Sequence, residues 1–295
     1  MAKKLLTIGC REDELAIAQA RFVINAIRAY DAEIEIKLIT MRASGETSGE
    51  TQEESLVTKG LERELSRGKL DLCVHDLKNL PIFENPKLPI VAVSKREDAR
   101  DVLLLPKGVV MLSSEAVIGC HSAAVKSQLE RLYPRNSVQL LLGDTLSLLA
   151  KMDAGQTGAL VLSASGLKRL GLEKRISRYL PIMELLPSPC QGAVAVQGRW
   201  MEDVSYLEYF HDADSYDATF AERCFVRAMG KNCMASMAAY AVASGNLLEL
   251  RGMFIGKNGK IHKGMGKGLR TLALQIGVEL AVRLQEQANQ ADKQG

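Results

Sequence analysis

Lys69-Leu70-Asp71-Leu72-Cys73-Val74-His75-Asp76-Leu77-Lys78-Asn79-Leu80-Pro81 runs from an apolar strand pattern straight into polar side chains and a proline. In an open α/β sheet, ligands bind beyond the carboxyl ends of the strands. His75, Asp76, Lys78 and Asn79 are therefore the first candidates for chemistry, although the same residues also suit a strand end turning at the surface. In an extended segment Asp76 and Lys78 would share one face while Asn79 points away.

Outward from this stretch the chain reads as alternating strands and helices. Leu5 to Gly9 predicts a strand, Glu14 to Ala29 a helix and Glu33 to Met41 a second strand, with Cys10, Arg11 and Asp13 at the first strand-to-helix turn. Arg42 to Glu54 is poor in apolar residues and reads as a surface loop ahead of a helix over Val57 to Arg67. After a short strand at Ile90 to Val93, the charge cluster Lys95-Arg96-Glu97-Asp98-Ala99-Arg100-Asp101 suits a crossing between domains. The alternation then restarts. A strand ends at Val117-Ile118, a turn covers Gly119 to Ser122, and a helix covers Ala123 to Leu132. A strand at Val138 to Leu142, a helix at Leu146 to Met152 and a strand at Ala159 to Leu162 follow, a pattern that predicts a parallel sheet.

Ala193 to Gln197 reads as a strand returning to the first sheet, and Asp214 to Met229 as a helix ended by Gly230-Lys231-Asn232-Cys233. Three strand patterns and a helix from Leu269 to Gln287 close the chain, with a polar, frayed end from Ala288. The expected fold class is α/β: residues 1–94 with 195–213 as a first domain, 98–188 as a second, and 217–295 as a small α+β third.

Composition narrows the function. The 295 residues are 47% hydrophobic and 25% charged with a formal net charge of +3, which is an ordinary globular balance and too little positive charge to argue for nucleic acid. No apolar run approaches a membrane span and no leader pattern opens the chain, so a cytoplasmic protein is expected. The six cysteines contain no C-x-x-C pair, which argues against a zinc site or disulfide framework; no metal is expected.

With the turns placed, the chain resembles the hydroxymethylbilane synthase (porphobilinogen deaminase) family from end to end. The likeness rests on Arg11 with Leu15-Ala16, Val74-His75 with Leu77-Lys78 and Pro81, and Lys95 to Asp101. It continues through Gly166-Leu167-Lys168-Arg169-Leu170-Gly171, Gln191-Gly192-Ala193, and Ala221-Glu222-Arg223 leading to Cys233. It implies two periplasmic-binding-protein-like α/β domains around a cleft, plus a small C-terminal α+β domain. It also implies a monomer, and a dipyrromethane cofactor held through a thioether on Cys233, near Lys78. On that primer the family joins four porphobilinogen units head to tail with loss of ammonia. Read by itself, Cys233 also suits a buried structural thiol.

The site positions depart from the family. Its S-[LM]-K-D-x-P motif has Asp76 in place of the serine and Asn79 in place of the catalytic carboxylate, and losing a general acid costs about 10²- to 10⁴-fold. Asp76 is the first candidate replacement, with Asp144 a second. The S-S-x-R-R turn reads His121-Ser122-Ala123-Ala124-Val125, and R-G-N-V-x-T-R reads Leu142-Gly143-Asp144-Thr145-Leu146-Ser147-Leu148, so four arginine positions are lost. Asp13 stands for another serine. Charge-assisted hydrogen bonds are worth about 1.5–3 kcal/mol each, so recognition of a polycarboxylate is expected to suffer severely. What remains for anions is Arg11, Lys78, Lys126, Ser122, a protonated His121, and the helix starts near Ser122 and Thr145, whose N–H groups suit a carboxylate. These lysines also read as solvated surface charges, and His121 as a turn residue. The expected function is the family's, in tetrapyrrole synthesis, with impaired or absent turnover. The alternative is a repurposed homologue that binds another small ligand or a partner.

Overall fold

A computed structural model of the chain describes residues 5–42, 50–230, 236–256 and 259–293. In chain order the first elements are β1 (Leu5–Arg11), α1 (Glu14–Tyr30), β2 (Glu35–Met41), α2 (Glu50–Ser66), β3 (Leu72–Asp76), a 3-10 turn (Leu77–Asn79) and β4 (Ile90–Val93). Next come β5 (Asp101–Leu104), β6 (Ile118–Cys120), α3 (Ala123–Leu132), β7 (Val138–Leu140), α4 (Thr145–Asp153), β8 (Ala159–Ser163), α5 (Ala164–Arg169) and β9 (Ile176–Tyr179). The chain ends with β10 (Val194–Gln197), α6 (Ala213–Met229), β11 (Met237–Ser244), β12 (Leu247–Ile255), β13 (Ile261–Leu269) and α7 (Ala273–Lys293). It divides into two units, Met1–Glu97 with Ala193–Tyr216, and Asp98–Gly192 with Asp217–Gly295.

The first unit is a sheet of order β2-β1-β3-β10-β4. β1 pairs parallel with β2 and β3, and β10 runs antiparallel between β3 and β4. Helix α1 forms because Ala16, Gln19, Ala20, Val23, Ile24 and Ile27 recur on one buried face, which packs onto Leu6, Ile8 and Val74 of the sheet. The opposite face of the sheet takes Val57, Leu61 and Leu65 of α2.

The second unit holds a sheet of order β7-β6-β8-β5-β9 and a three-stranded antiparallel sheet β11-β12-β13 covered by α7. Both five-stranded sheets thus share one plan: a parallel trio that includes one edge, then an antiparallel strand, then the opposite edge strand. The fold class expected from the sequence, α/β sheets plus a small α+β part, is the one present.

Several local expectations are corrected. The second sheet is mixed rather than parallel, because β5 pairs antiparallel with β8 and β9. Both strands escape a periodicity reading: β5 is four residues that begin on the last residue of the charge cluster, and β9 sets the exposed Ser177 and Arg178 side by side between the half-buried Ile176 and Tyr179. β6 continues through Cys120, where a turn was expected. Residues 50–54, expected in a loop, begin α2. The final helix runs on to Lys293.

Helix α7 sits unusually close to its neighbours. A Cβ on Gly277 would lie 2.7 Å from the Ala221 carbonyl oxygen and 2.8 Å from the Phe225 nitrogen of α6, backbone atoms that cannot swing aside. Gly264, Gly266 and Gly268 clear the way for Leu280, Leu284 and Ile276 on the other side. Gly277→Ala gains about 1 kcal/mol in helix propensity but meets an overpacking cost of about 1–3 kcal/mol at its upper range, because backbone is the obstacle. A net loss of about 1–2 kcal/mol in chemical denaturation is expected; a stabilised variant would show that α7 stands further from α6.

Candidate functional site

Polar side chains gather at the strand ends of each unit. In the first, β1 ends at Arg11, whose Nε donates to Asp13 Oδ2 at 2.8 Å. Asp13 is the N-cap of α1, its Oδ1 accepting from the Ala16 N–H at 2.9 Å. On the neighbouring strand, Asp76 caps the 3-10 turn: its Oδ1 accepts from the Lys78 N–H at 3.3 Å and its Oδ2 from Gln19 Nε2 at 3.4 Å. The segment after Asp76 is therefore helical, and the extended geometry expected for Asp76, Lys78 and Asn79 does not occur. Lys78 is half-buried and Asn79, the third residue of the turn, is exposed.

Gln19 was not anticipated. Its signal was a polar residue on the apolar stripe of α1, between Ala16 and Ala20, and it is 1% exposed. It ties the start of α1 to the end of β3 and so joins the Arg11–Asp13 pair to the Asp76 turn.

His75, also buried, points to the α2 side of the sheet together with Cys73. Burial pushes its pKa down to about 4, the Arg11 charge adds to this, and Gln197 beside it offsets part. Because the folded value lies below the 6.5 of an ordinary histidine, the unfolded chain binds the proton more readily between these limits. The stability His75 contributes is thus complete above about pH 6.5 and lost as pH falls toward 4, up to about 3 kcal/mol. Unfolding in urea from pH 7 to pH 4 is expected to show this slope, and His75→Leu to flatten it. A variant with the slope intact would place the effect elsewhere.

In the second unit the same capping recurs. Ser122 precedes α3, its Oγ accepting from the Val125 N–H at 3.5 Å, and His121 is exposed beside it. Asp144 caps α4, Oδ1 accepting from Leu146 N at 2.9 Å and Ser147 N at 3.0 Å. The helix starts expected to be open to an anion are thus partly capped by the chain's own side chains. Lys126 Nζ lies 3.8 Å from Glu130 one turn along α3.

The resemblance residues that survive are largely ties. Asp98 accepts from Arg100 through its backbone N–H and its guanidinium, 2.6 Å at the shortest, with Lys168 at 3.9 Å. Burial opposes the Asp98 charge, but the Arg100 hydrogen bonds outweigh it and hold the carboxyl below the usual range. The Arg100 guanidinium lies 4.3 Å over the Tyr179 ring. Gln191 Nε2 donates to the Ala99 carbonyl at 2.9 Å and to Asp101 Oδ1 at 3.0 Å. Cys190 has φ of 65°, in the left-handed region that favours glycine.

Cys233 lies outside the described residues. The other five cysteines are buried; burial first, then the Asp13 charge, pushes Cys10 up to about 12, and burial pushes Cys120 up to about 11, so neither is a thiolate at neutral pH. Among the described residues no cluster of His, Cys, Asp and Glu could hold a metal, and no helix is long and apolar enough to cross a membrane.

Two family models match the chain. Residues 6–205 match the one described as porphobilinogen deaminase, dipyromethane cofactor binding domain, and residues 216–286 match porphobilinogen deaminase, C-terminal domain. The chain is 43% identical over 284 residues to the porphobilinogen deaminase of Acetivibrio thermocellus, covering 95% of this chain and 97% of that one. It is 42% identical over 284 residues to that of Alkaliphilus oremlandii, covering 95% and 96%. With the Thermus thermophilus protein of the same name it shares 34% identity over 290 residues, covering 96% of each.

Proposed function

Because the chain belongs to the porphobilinogen deaminase family, a family of tetrapyrrole biosynthesis, we propose that it is a homologue of those enzymes whose own turnover of porphobilinogen is strongly reduced. The family reaction condenses four porphobilinogen molecules head to tail with loss of ammonia. Each step needs a proton for the departing amine and a fixed negative charge facing the pyrrole-stabilised cation.

The observation that carries this reading is what the strand-end carboxylates do. Asn79, at the family's carboxylate position, is an exposed amide that neither donates an acidic proton nor carries charge. Asp13 is committed to Ala16 and Arg11, and Asp76 to Lys78 and Gln19. Serine and aspartate are both favoured N-caps, so exchanging serine for aspartate at 13 and 76 keeps the turns without supplying a catalytic group. Asp76 is thus read as a cap rather than as the acid's replacement.

Porphobilinogen consumption by the protein and by Asp76→Asn and Asp76→Ser variants tests this. All three are expected to share one slow rate. Loss of the remaining turnover in Asp76→Asn, with Asp76→Ser equally dead and both variants folded, would make Asp76 the working acid and overturn the reading.

A further inference from the structure

We infer that the chain carries no dipyrromethane, because positions that would supply cations for the group's carboxylates have been built into the core of the second unit. The inference deepens the reading above and concerns the same strand ends.

The matched family domain is described by its dipyromethane cofactor, so that group is what the family implies for residues 6–205. A dipyrromethane bearing acetate and propionate side chains presents several carboxylates, each best held by a guanidinium or ammonium group or by open helix N–H groups. The residues present do not fit that demand. Of the four positions read above as replaced arginines, three are interior. Ala124 is 1% exposed and packs with Leu186, Ala238 and Met253. Val125 packs with Ile118, Leu129 and Val138, and Leu148 with Val102, Leu104 and Leu160. Only Leu142, 59% exposed, keeps its side chain at the surface.

Several of the remaining donors are already engaged. The Leu146 and Ser147 N–H groups point at Asp144, which adds a negative charge where a carboxylate would have to dock. The Val125 N–H points at Ser122, and Lys126 pairs with Glu130. In the first unit Arg11 is paired with Asp13. The cation loss is therefore more than a change of side chains at an open surface. A guanidinium at 148 would have to enter a packed apolar cluster, so single reversions do not rebuild the site.

Intact mass spectrometry decides the question without reference to turnover. The protein is measured as purified, after incubation with porphobilinogen, and after incubation with preformed hydroxymethylbilane, beside the Acetivibrio thermocellus relative and a Cys233→Ser variant. The expected result is the mass of the bare chain in every condition, with the relative showing a pyrrole adduct. Leu142→Arg is expected to fold normally and remain bare, and Leu148→Arg to melt at clearly lower temperature. An adduct of dipyrromethane mass that disappears in Cys233→Ser would overturn the inference, as would a Leu148→Arg variant that folds normally and becomes loaded. A loaded protein with slow turnover would sink this inference and leave the proposed function standing; a loaded, fast one would sink both.

Discussion

Glu222→Ala is expected to remove roughly 3–5 kcal/mol of folding stability. Glu222 is completely buried in α6, and its two carboxylate oxygens serve two distant segments: Oε2 accepts from the Cys190 N–H at 2.5 Å and Oε1 from the Ala241 N–H at 2.6 Å. It thereby joins the turn before β10, helix α6 and strand β11. Alanine would leave both N–H groups buried without an acceptor, at about 1–3 kcal/mol each, and would open a cavity besides. Glu222→Gln keeps the shape but turns an amide N–H₂ toward one of the donors, so about half the loss is expected. Against a total stability of about 5–15 kcal/mol these are large effects, readable as shifts in urea midpoint at constant slope. A Glu222→Ala loss below about 1 kcal/mol would show that water or a rearranged turn satisfies these groups.

A comparable cost, about 3–5 kcal/mol, is expected for Arg199→Ala in the first unit. Arg199 follows β10 and donates to the Leu65 carbonyl at 2.8 Å, to the Leu70 carbonyl, to Asp71 at 3.2 Å and to Glu202 at 2.8 Å. It closes the end of α2 and balances Asp71, a buried carboxylate whose other oxygen accepts from the Thr7 N–H at 2.9 Å. Burial works against the Arg199 charge, but Glu202 and Asp71 more than compensate and hold its pKa above the usual value. Removing the cation leaves Asp71 charged and unbalanced in the interior, which is costlier than losing the pair's net attraction. Arg199→Lys is expected to recover only part of the loss, since an ammonium cannot span two carbonyls and two carboxylates at once. If Arg199→Ala and Asp71→Asn prove independent in a double-mutant cycle, this account of the residue fails.

The parts of the fold that announce themselves in the sequence are those with long, clean periods. The buried stripe of α1 and the run into β3 are examples. The returning strand at Val194–Gln197 is too short for a period and stands out instead as an apolar run between Gly192 and Gly198. Short strands such as β5 carry no period, and residues 50–54 look like a loop because their charge hides a helix start. The site was legible as a set of positions but not as a set of roles. Asp13, Asp76 and Asp144 stand where a strand meets a helix, and there the demand for an N-cap and the demand for a ligand group select the same side chains. Only the hydrogen-bond directions separate the two. Gln191 and Glu222 stood out as family residues, yet their partners lie 90 and 32 residues away, beyond any local pattern.

Of the positions that differ from the family motifs quoted above, Ala124, Val125 and Leu148 lie in the core and Asp13, Asp76 and Asp144 act as caps, while Asn79 and Leu142 are exposed. The most direct test is the rate of porphobilinogen consumption by the purified wild-type protein, supplied with preformed hydroxymethylbilane, beside the Acetivibrio thermocellus relative under the same conditions. A rate lower by at least about 10²-fold is expected from the missing carboxylate alone. A rate within about tenfold of the relative would contradict the account, since a general acid is worth more than that. It would mean that a carboxylate read here as a cap performs the chemistry.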